Sequence, residues 1–219
     1  MISTGLQKLD EILGGGIKNG NIIDIYGESS TGKTQLALQI IINFLSSNEK
    51  ILFLDTTGEF RPERLLEIMN LQKINVKLLD NIMVSRITNT SEQVNYFKNI
   101  PTSNYGLIII DNVSELFSFE YSKDEQSLQK TISFMNFMHE LSIIALEKKI
   151  PIIVTNTVRH NIDKNIENLS RAISFFTHVK IRLSKSNSKH IGYVESISNS
   201  GSFSFLISAK GLEETYQSI

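Results

Sequence analysis

The segment Gly27-Glu28-Ser29-Ser30-Thr31-Gly32-Lys33-Thr34 constrains this chain more than any other. It fits the pattern G-x-x-x-x-G-K-[ST], a loop whose backbone N–H groups turn inward around a phosphate. Gly27 and Gly32 allow backbone torsions that a β-carbon resists. Lys33 is the residue type that reaches a terminal phosphate, and the Thr34 hydroxyl the type that ligates Mg²⁺. The pattern carries this meaning only between a strand and a helix. Upstream, Asn21-Ile22-Ile23-Asp24-Ile25-Tyr26 is a short β-branched apolar run suited to a buried parallel strand. Downstream, Gln35 to Leu45 is long enough for a helix and rich in helix formers. The loop therefore opens onto a helix N-terminus whose dipole favours the phosphate charge.

The same alternation continues along the chain. Strand-like runs recur at Lys50–Asp55, Ile82–Ile87, Leu107–Asp111 and Ile152–Thr155. Helical periodicity fills Lys33–Ser47, Pro62–Leu71, Ser91–Lys98 and Gln126–Lys148. A short helical segment, Leu6–Leu13, stops at Gly14-Gly15-Gly16. Strands alternating with helices predict an α/β fold, with a mostly parallel twisted sheet flanked by helices. After Phe175 the pattern changes. Val179–Leu183, Gly192–Ile197 and Ser202–Ile207 alternate apolar with polar residues, separated by the turn-prone clusters Ser184–Lys189 and Ser198–Gly201. That predicts a C-terminal antiparallel meander extending the sheet. No linker or repeat divides the chain, so residues 1–219 are expected to form a single domain.

Composition narrows the class. The 219 residues are 41% hydrophobic with a formal net charge of −1, which supplies no global drive toward nucleic acid. The absence of cysteine excludes a disulfide framework and a thiolate metal site. The stretch Leu36–Leu45 is too short to span a bilayer and is interrupted by Gln39 and Asn43. With no basic and apolar leader at Met1–Gly5, a soluble, cytoplasmic protein without a membrane partner is expected.

A second motif completes the first. Leu107-Ile108-Ile109-Ile110-Asp111 is an aliphatic strand ending in an acid at its carboxyl end. Paired with the phosphate loop, Asp111 is the expected partner of Thr34 in holding Mg²⁺. The predicted cofactors are ATP and Mg²⁺. The cofactor-binding residues are Gly27, Glu28, Ser29, Ser30, Thr31, Gly32, Lys33, Thr34, Gln35 and Asp111.

Five stretches, taken together, resemble a known family: "STGLQKLDEILGGGIKNG", "GESSTGKTQ", "LDTTGEFRPERL", "LIIIDN" and "IPIIVTNTV". They are similar, in colinear order over essentially the whole chain, to the RecA/RadA recombinase superfamily, most of all to its short archaeal RadB-type paralogues. The resemblance implies a RecA-like P-loop NTPase core without an N-terminal helical DNA-binding domain. It also implies that Arg64 is a cofactor-binding residue that packs on the adenine; a surface helix Arg paired with Glu63 or Glu67 is the alternative on sequence alone.

Two positions depart from the family. Where active recombinases carry the Glu that activates water, this chain has Thr57, whose hydroxyl is far too weakly basic near neutral pH. Glu59 stands two residues on as a surrogate base, or else as a solvated loop carboxylate. Where the family has a γ-phosphate-sensing Gln after Thr155-Asn156, this chain has Thr157. The expectation is nucleotide binding with weak or absent hydrolysis. The resemblance further implies an accessory or mediator in homologous recombination and DNA repair, with a recombinase or repair-protein partner. Its single-stranded DNA contacts would fall at Arg159, Lys164 and Arg171 on the second of two loops. The first loop, Ser118–Glu125, is net acidic and repels phosphate. Lys180, Arg182, Lys185, Lys189 and His190 form a further basic cluster, read either as a DNA track or as solvated edge residues. His178 is expected to be structural. The alternative function is a RecA-fold regulatory or assembly module that acts through protein partners and binds little DNA.

Overall fold

The computed structural model describes residues 1–98, 102–161, 164–186, 189–196 and 199–215. From the N-terminus the chain forms α1 (Gln7–Ile12), β1 (Ile22–Gly27), α2 (Lys33–Phe44), β2 (Lys50–Asp55) and α3 (Pro62–Leu71). It continues through β3 (Ile82–Arg86), α4 (Thr90–Asn95), β4 (Tyr105–Asp111), α5 (Glu115–Glu120) and α6 (Ser127–Lys148). The rest comprises β5 (Ile152–Asn161), β6 (Lys164–Glu167), α7 (Ser170–Ser174), β7 (Val179–Ser186), β8 (Lys189–Ser196), β9 (Ser200–Ser208) and β10 (Gly211–Glu214).

These strands build one sheet in the order β3-β2-β4-β5-β1-β7-β8-β9-β10, with β6 paired to β5 alone. From β3 to β7 every pairing is parallel, and from β7 to β10 every pairing is antiparallel. The expected α/β class and C-terminal meander are both present. The central strands are apolar on both faces because both faces are covered. Ile23, Ile25, Phe53 and Ile109 pack with α1, α2 and α3, whereas Ile22, Leu52, Leu54, Ile108 and Ile110 pack with α5 and α6. Successive residues thus enter opposite cores, as a pleat of period two requires.

Three segments differ from the sequence reading. β5 does not end at Thr155 but runs on to Asn161 and returns as β6, so the predicted loop after Thr157 begins as a hairpin. Beyond Thr157 the strand leaves the main sheet and its backbone pairs only with β6, a pattern that period-two hydrophobicity cannot reveal. The predicted acidic loop from Ser118 starts inside α5. A fourth meander strand, β10, begins at Gly211, whose φ of +112° lets the chain turn back along β9. Ile197, Ser198 and part of the predicted turn at 184–189 lie outside the described residues.

Candidate nucleotide-binding site

Parallel topology collects the carboxyl ends of β1, β4 and β5 at one edge of the sheet, where ligands of such sheets bind. The phosphate loop leaves β1 at Gly27, where a β-carbon would lie 2.2 Å from the carbonyl oxygen of Leu183 on β7. Only glycine fits that approach. At the far end Gly32 has φ +100° and begins α2 with no side-chain cap. The uncapped N–H groups of this first turn are the ones a phosphate would satisfy. A β-carbon on Gly32 would press within 3.3 Å of Ile207 and Phe205, so the meander forms the floor beneath the loop. Thr31 is buried and its hydroxyl donates to the Glu28 carbonyl at 2.8 Å, closing the loop on itself.

The charged groups converge over this loop. Lys33 Nζ donates to the carbonyls of Gly27 and Glu28 at 3.0 and 2.7 Å. The Thr34 hydroxyl donates to Asp111 Oδ2 at 2.7 Å, and the Thr155 hydroxyl donates to Asp111 Oδ1. Burial raises the Asp111 carboxyl above its ordinary range, only partly offset by those two hydroxyls and Lys33. Burial likewise lowers Lys33, partly offset by Asp111, Glu115 and Glu59. A buried carboxylate and a half-buried ammonium form a place where a cation and an anion are both welcome.

Lys33, Thr34 and Asp111 line a cavity of about 630 Å³, an ordinary size for a small-molecule site. Of the residues expected to bind the cofactor, Ser29, Ser30, Gly32, Lys33, Thr34, Gln35 and Asp111 are in its wall; Gly27, Glu28 and Thr31 are not. Thr57 and Thr157, the two departures, are in it too. The Thr57 N–H and hydroxyl both donate to Asp55 Oδ1 at 3.1 Å, which fixes the side chain; a hydroxyl is in any case too weak a base to activate water. Asp55 also accepts from the Gly58 N–H at 2.7 Å and pairs with Arg86, so the turn after β2 is organised around one carboxylate. Glu59 lines the cavity as well, and its N–H donates to the Thr57 hydroxyl.

Sequence reasoning missed Glu115, the first residue of α5, which lines the same cavity. Burial raises its pKa, and the nearby Glu59 and Asp111 carboxylates raise it further. Its position four residues after Asp111 was a usable signal, since the chain had to turn back across the strand ends there. Arg64 does not line the cavity. Its Nε donates to Gln35 at 3.1 Å, its guanidinium pairs with Glu67, and it also donates to the carbonyls of Ser208 and Ala209. These contacts include the Glu67 partner and tie α3 to the β9–β10 turn beside Gln35.

The residues expected to meet DNA are more scattered. Arg159 is exposed on β5 opposite Ile166 of β6, and Arg171 is exposed on α7. Lys164 sits on β6 opposite Asn161. Lys180, read from sequence as part of a basic track, has a different place. Its ammonium lies 3.0 Å from Asp24 and pairs with Glu167, over the Tyr26 ring, with only 16% of its side chain exposed. The sequence could not reveal this, because Asp24 reaches it only through the parallel register of β1 with β7. Burial would lower Lys180, but the two carboxylates outweigh that and hold it above its ordinary value. Asp24 is fully buried and is pushed well up by burial and by Glu167 beside it. His190, the other end of that track, is buried against the Phe205 ring at 5.2 Å. His178 is structural as expected, its Nδ1 accepting from the Ile22 N–H at 3.1 Å.

A buried polar chain connects the two ends of this edge. Asn156 accepts from the Ser114 hydroxyl and donates to Glu167 at 3.0 Å and to the Asn168 carbonyl at 2.9 Å. Asn156 follows the Asp111 partner Thr155, and Glu167 belongs to the Lys180 cluster. The retained Thr155-Asn156 pair thus anchors the hairpin to the nucleotide edge.

A family model described as Rad51 matches residues 1–174, which include the phosphate loop, Asp111 and the β5–β6 hairpin. The chain belongs to the Rad51 family. It is 32% identical over 173 residues to the DNA repair protein Rad51 homolog of Drosophila melanogaster, covering 74% of this chain and 52% of that protein. It is 30% identical over 170 residues to the DNA repair and recombination protein RadB of Pyrococcus furiosus, covering 76% and 72%. The DNA repair protein RAD51 of Mycosarcoma maydis is 30% identical over 173 residues, covering 74% and 51%. The chain therefore spans about half the length of these two Rad51 proteins and 72% of the RadB protein. This Rad51-family chain is a member of the RecA/RadA superfamily expected from its motifs, with RadB among its relatives. Among the described residues, no cluster of three or more His, Cys, Asp or Glu is arranged for a metal. Nor is any helix among them long and apolar enough to cross a membrane.

Proposed function

We infer that this Rad51-family chain binds ATP with Mg²⁺ and serves recombination and repair as an accessory protein that turns ATP over slowly. The observation that carries the reading is the pairing, in one cavity, of an intact phosphate end with Thr57 fixed on Asp55. The site fits the ligand. Lys33 rests on two backbone carbonyls that it can exchange for phosphate oxygens, and the uncapped start of α2 offers N–H groups beside it. Thr34 and Asp111 are 2.7 Å apart, a hydroxyl and a carboxylate of the kind that hold Mg²⁺. When bound, Mg²⁺ supplies charge neutralisation between the phosphates. Gln35 lines the cavity and is held by the Nε of Arg64.

Hydrolysis needs a group that orients and deprotonates water, and general-base catalysis contributes roughly 10²- to 10⁴-fold. The Thr57 hydroxyl cannot supply that contribution. Glu59 and Glu115 are the carboxylates beside the cavity that would carry the remaining turnover, Glu59 as the surrogate base. ATP then acts chiefly as a ligand that stabilises the binding-competent state by mass action. DNA contact, in this reading, uses Arg159, Lys164 and Arg171 on the β5–β6 hairpin and α7.

The test is direct nucleotide binding alongside ATPase assays with and without single-stranded DNA. Tight Mg²⁺-ATP binding with slow turnover supports the reading, and robust DNA-stimulated hydrolysis overturns it. A second reading, an assembly module acting through protein partners, is favoured by the engagement of Lys180 with two carboxylates, which removes a cation from any DNA track. Affinity for single-stranded DNA that falls steeply with salt supports phosphate contacts; no binding at low salt supports the module.

A further inference from the structure

Two outliers meet beneath the phosphate loop. The first is a buried imidazole. His190 on β8 is only 7% exposed and stacks on the Phe205 ring at 5.2 Å, the two planes 21° apart. Phe205 and Ile207 form the floor under Gly32, and Ile207 also lines the nucleotide cavity. His190 Nδ1 is buried and has no hydrogen-bond partner among the described residues. A buried polar atom left unpaired is a standing cost that calls for an explanation. The second outlier is in the loop itself. Ser30 has φ +60°, a left-handed conformation that a non-glycine residue rarely adopts, and such strain gathers at ligand clamps. Ser30 lines the cavity, and a hydrogen bond between its main chain and the His190 ring favours a proton on that ring. A main-chain group with that effect is a carbonyl, since an N–H would oppose the proton.

We propose that His190 is a positioning residue for the phosphate loop: as phosphate enters, its ring takes up a proton from solvent and holds the Ser30 carbonyl in the left-handed turn. This rests on the cavity being an ATP site. The charges around the ring set the direction. Burial and Lys185, which is exposed on β7 opposite His190, both oppose a charge on the imidazole and lower its pKa. β9 brings the uncharged Phe205 ring, and Lys189, the neighbour of His190 on β8, is exposed. The loop's own charged side chains are Glu28 and Lys33, and the Lys33 ammonium is engaged with the Gly27 and Glu28 carbonyls. Nucleotide phosphates bring several negative charges onto this loop, which turns the balance toward imidazolium. The gain is geometric as well. With its lone pair, Nδ1 has nothing to accept from; protonated, it becomes a donor, and the Ser30 carbonyl is the acceptor at hand. One proton thus satisfies the orphaned nitrogen and fixes the strained residue in the conformation the loop needs.

Nuclear magnetic resonance of the unmodified chain, with ¹⁵N in its histidine rings, reports the proton directly. The His190 signal is identified by its contact with the Phe205 ring. Adding Mg²⁺-ATP should move the midpoint of its titration to higher pH, and an unchanged or lower midpoint overturns the proposal. Affinity gives a second readout. Between pH 8 and pH 6 the Kd of the unmodified chain for Mg²⁺-ATP, relative to that of His190→Gln, should fall roughly three- to tenfold, because a group that gains a proton on binding strengthens binding as the pH drops through its titration. Gln keeps an N–H for the Ser30 carbonyl but cannot titrate, so a ring that only fills space would give two parallel profiles. Parallel profiles with a folded His190→Gln overturn the proposal while leaving the ATP site intact. If the unmodified chain binds no Mg²⁺-ATP at either pH, the ATP site itself is refuted, and the proposal falls with it.

Discussion

Lys33 and Lys180 are both lysines withdrawn from solvent at the β1 side of one sheet, yet they do opposite things. Lys33 rests on two neutral carbonyls, Gly27 and Glu28, while burial lowers its pKa. Lys180 is paired with two carboxylates, Asp24 and Glu167, and its pKa is raised. A cation satisfied by carbonyl dipoles gains when a phosphate replaces them. A cation satisfied by buried carboxylates cannot leave without exposing their charge to the interior. The partner, not the lysine, separates a site that awaits an anion from an ionic cluster that holds the fold.

The largest effect that tests this contrast is on stability. Lys180→Met strands two buried carboxylates, and breaking such a pair costs about 3–5 kcal/mol. Urea titration should show that loss; a change within roughly 0.5 kcal/mol would class Lys180 with ordinary surface lysines and return it to the DNA track. Next comes Lys33→Ala, which removes a charge-assisted bond to phosphate worth about 2–3 kcal/mol, or roughly 30- to 150-fold in ATP Kd. Calorimetric titration should register it with little change in the urea midpoint. A loss of stability comparable with that of Lys180→Met would erase the distinction between the two.

Smaller effects probe the water-activating side of the cavity. Thr57→Glu restores a carboxylate at the tip of β2 and should raise kcat about tenfold, the lower part of what a general base contributes, because Asp55 still organises the turn. No gain would place the barrier elsewhere. Glu59→Gln should lower the slow basal turnover a few-fold with ATP affinity retained, as measured by single-turnover kinetics. If Glu115→Gln lowers it instead and Glu59→Gln does not, Glu115 is the working carboxylate.

The cradle was legible because it is local. Gly27 to Thr34 is contiguous, and Asp111 is announced by the four aliphatic residues before it. The strands from Lys50 to Asp55 and from Leu107 to Asp111 were legible because burial on both faces writes an unbroken apolar run. What escaped was set by long-range register. Asp24 meets Lys180 only because β1 and β7 pair in parallel, and Glu167 arrives from β6. The β5–β6 hairpin escaped because its residues are mostly polar and its two strands pair away from the main sheet. Glu115 escaped because a carboxylate at the start of a short helix looks like any first-turn acid until the strand ends bring it beside Asp111 and Glu59.

The central claim is that the cavity holds ATP far better than it hydrolyses it. The direct measurement is Mg²⁺-ATP affinity and kcat on the same preparation, with and without single-stranded DNA, beside Lys33→Ala. The account predicts tight binding that Lys33→Ala weakens roughly 30- to 150-fold, with turnover that stays slow and is not stimulated by DNA. Fast DNA-stimulated turnover in a chain whose β2 tip carries Thr57 would contradict it.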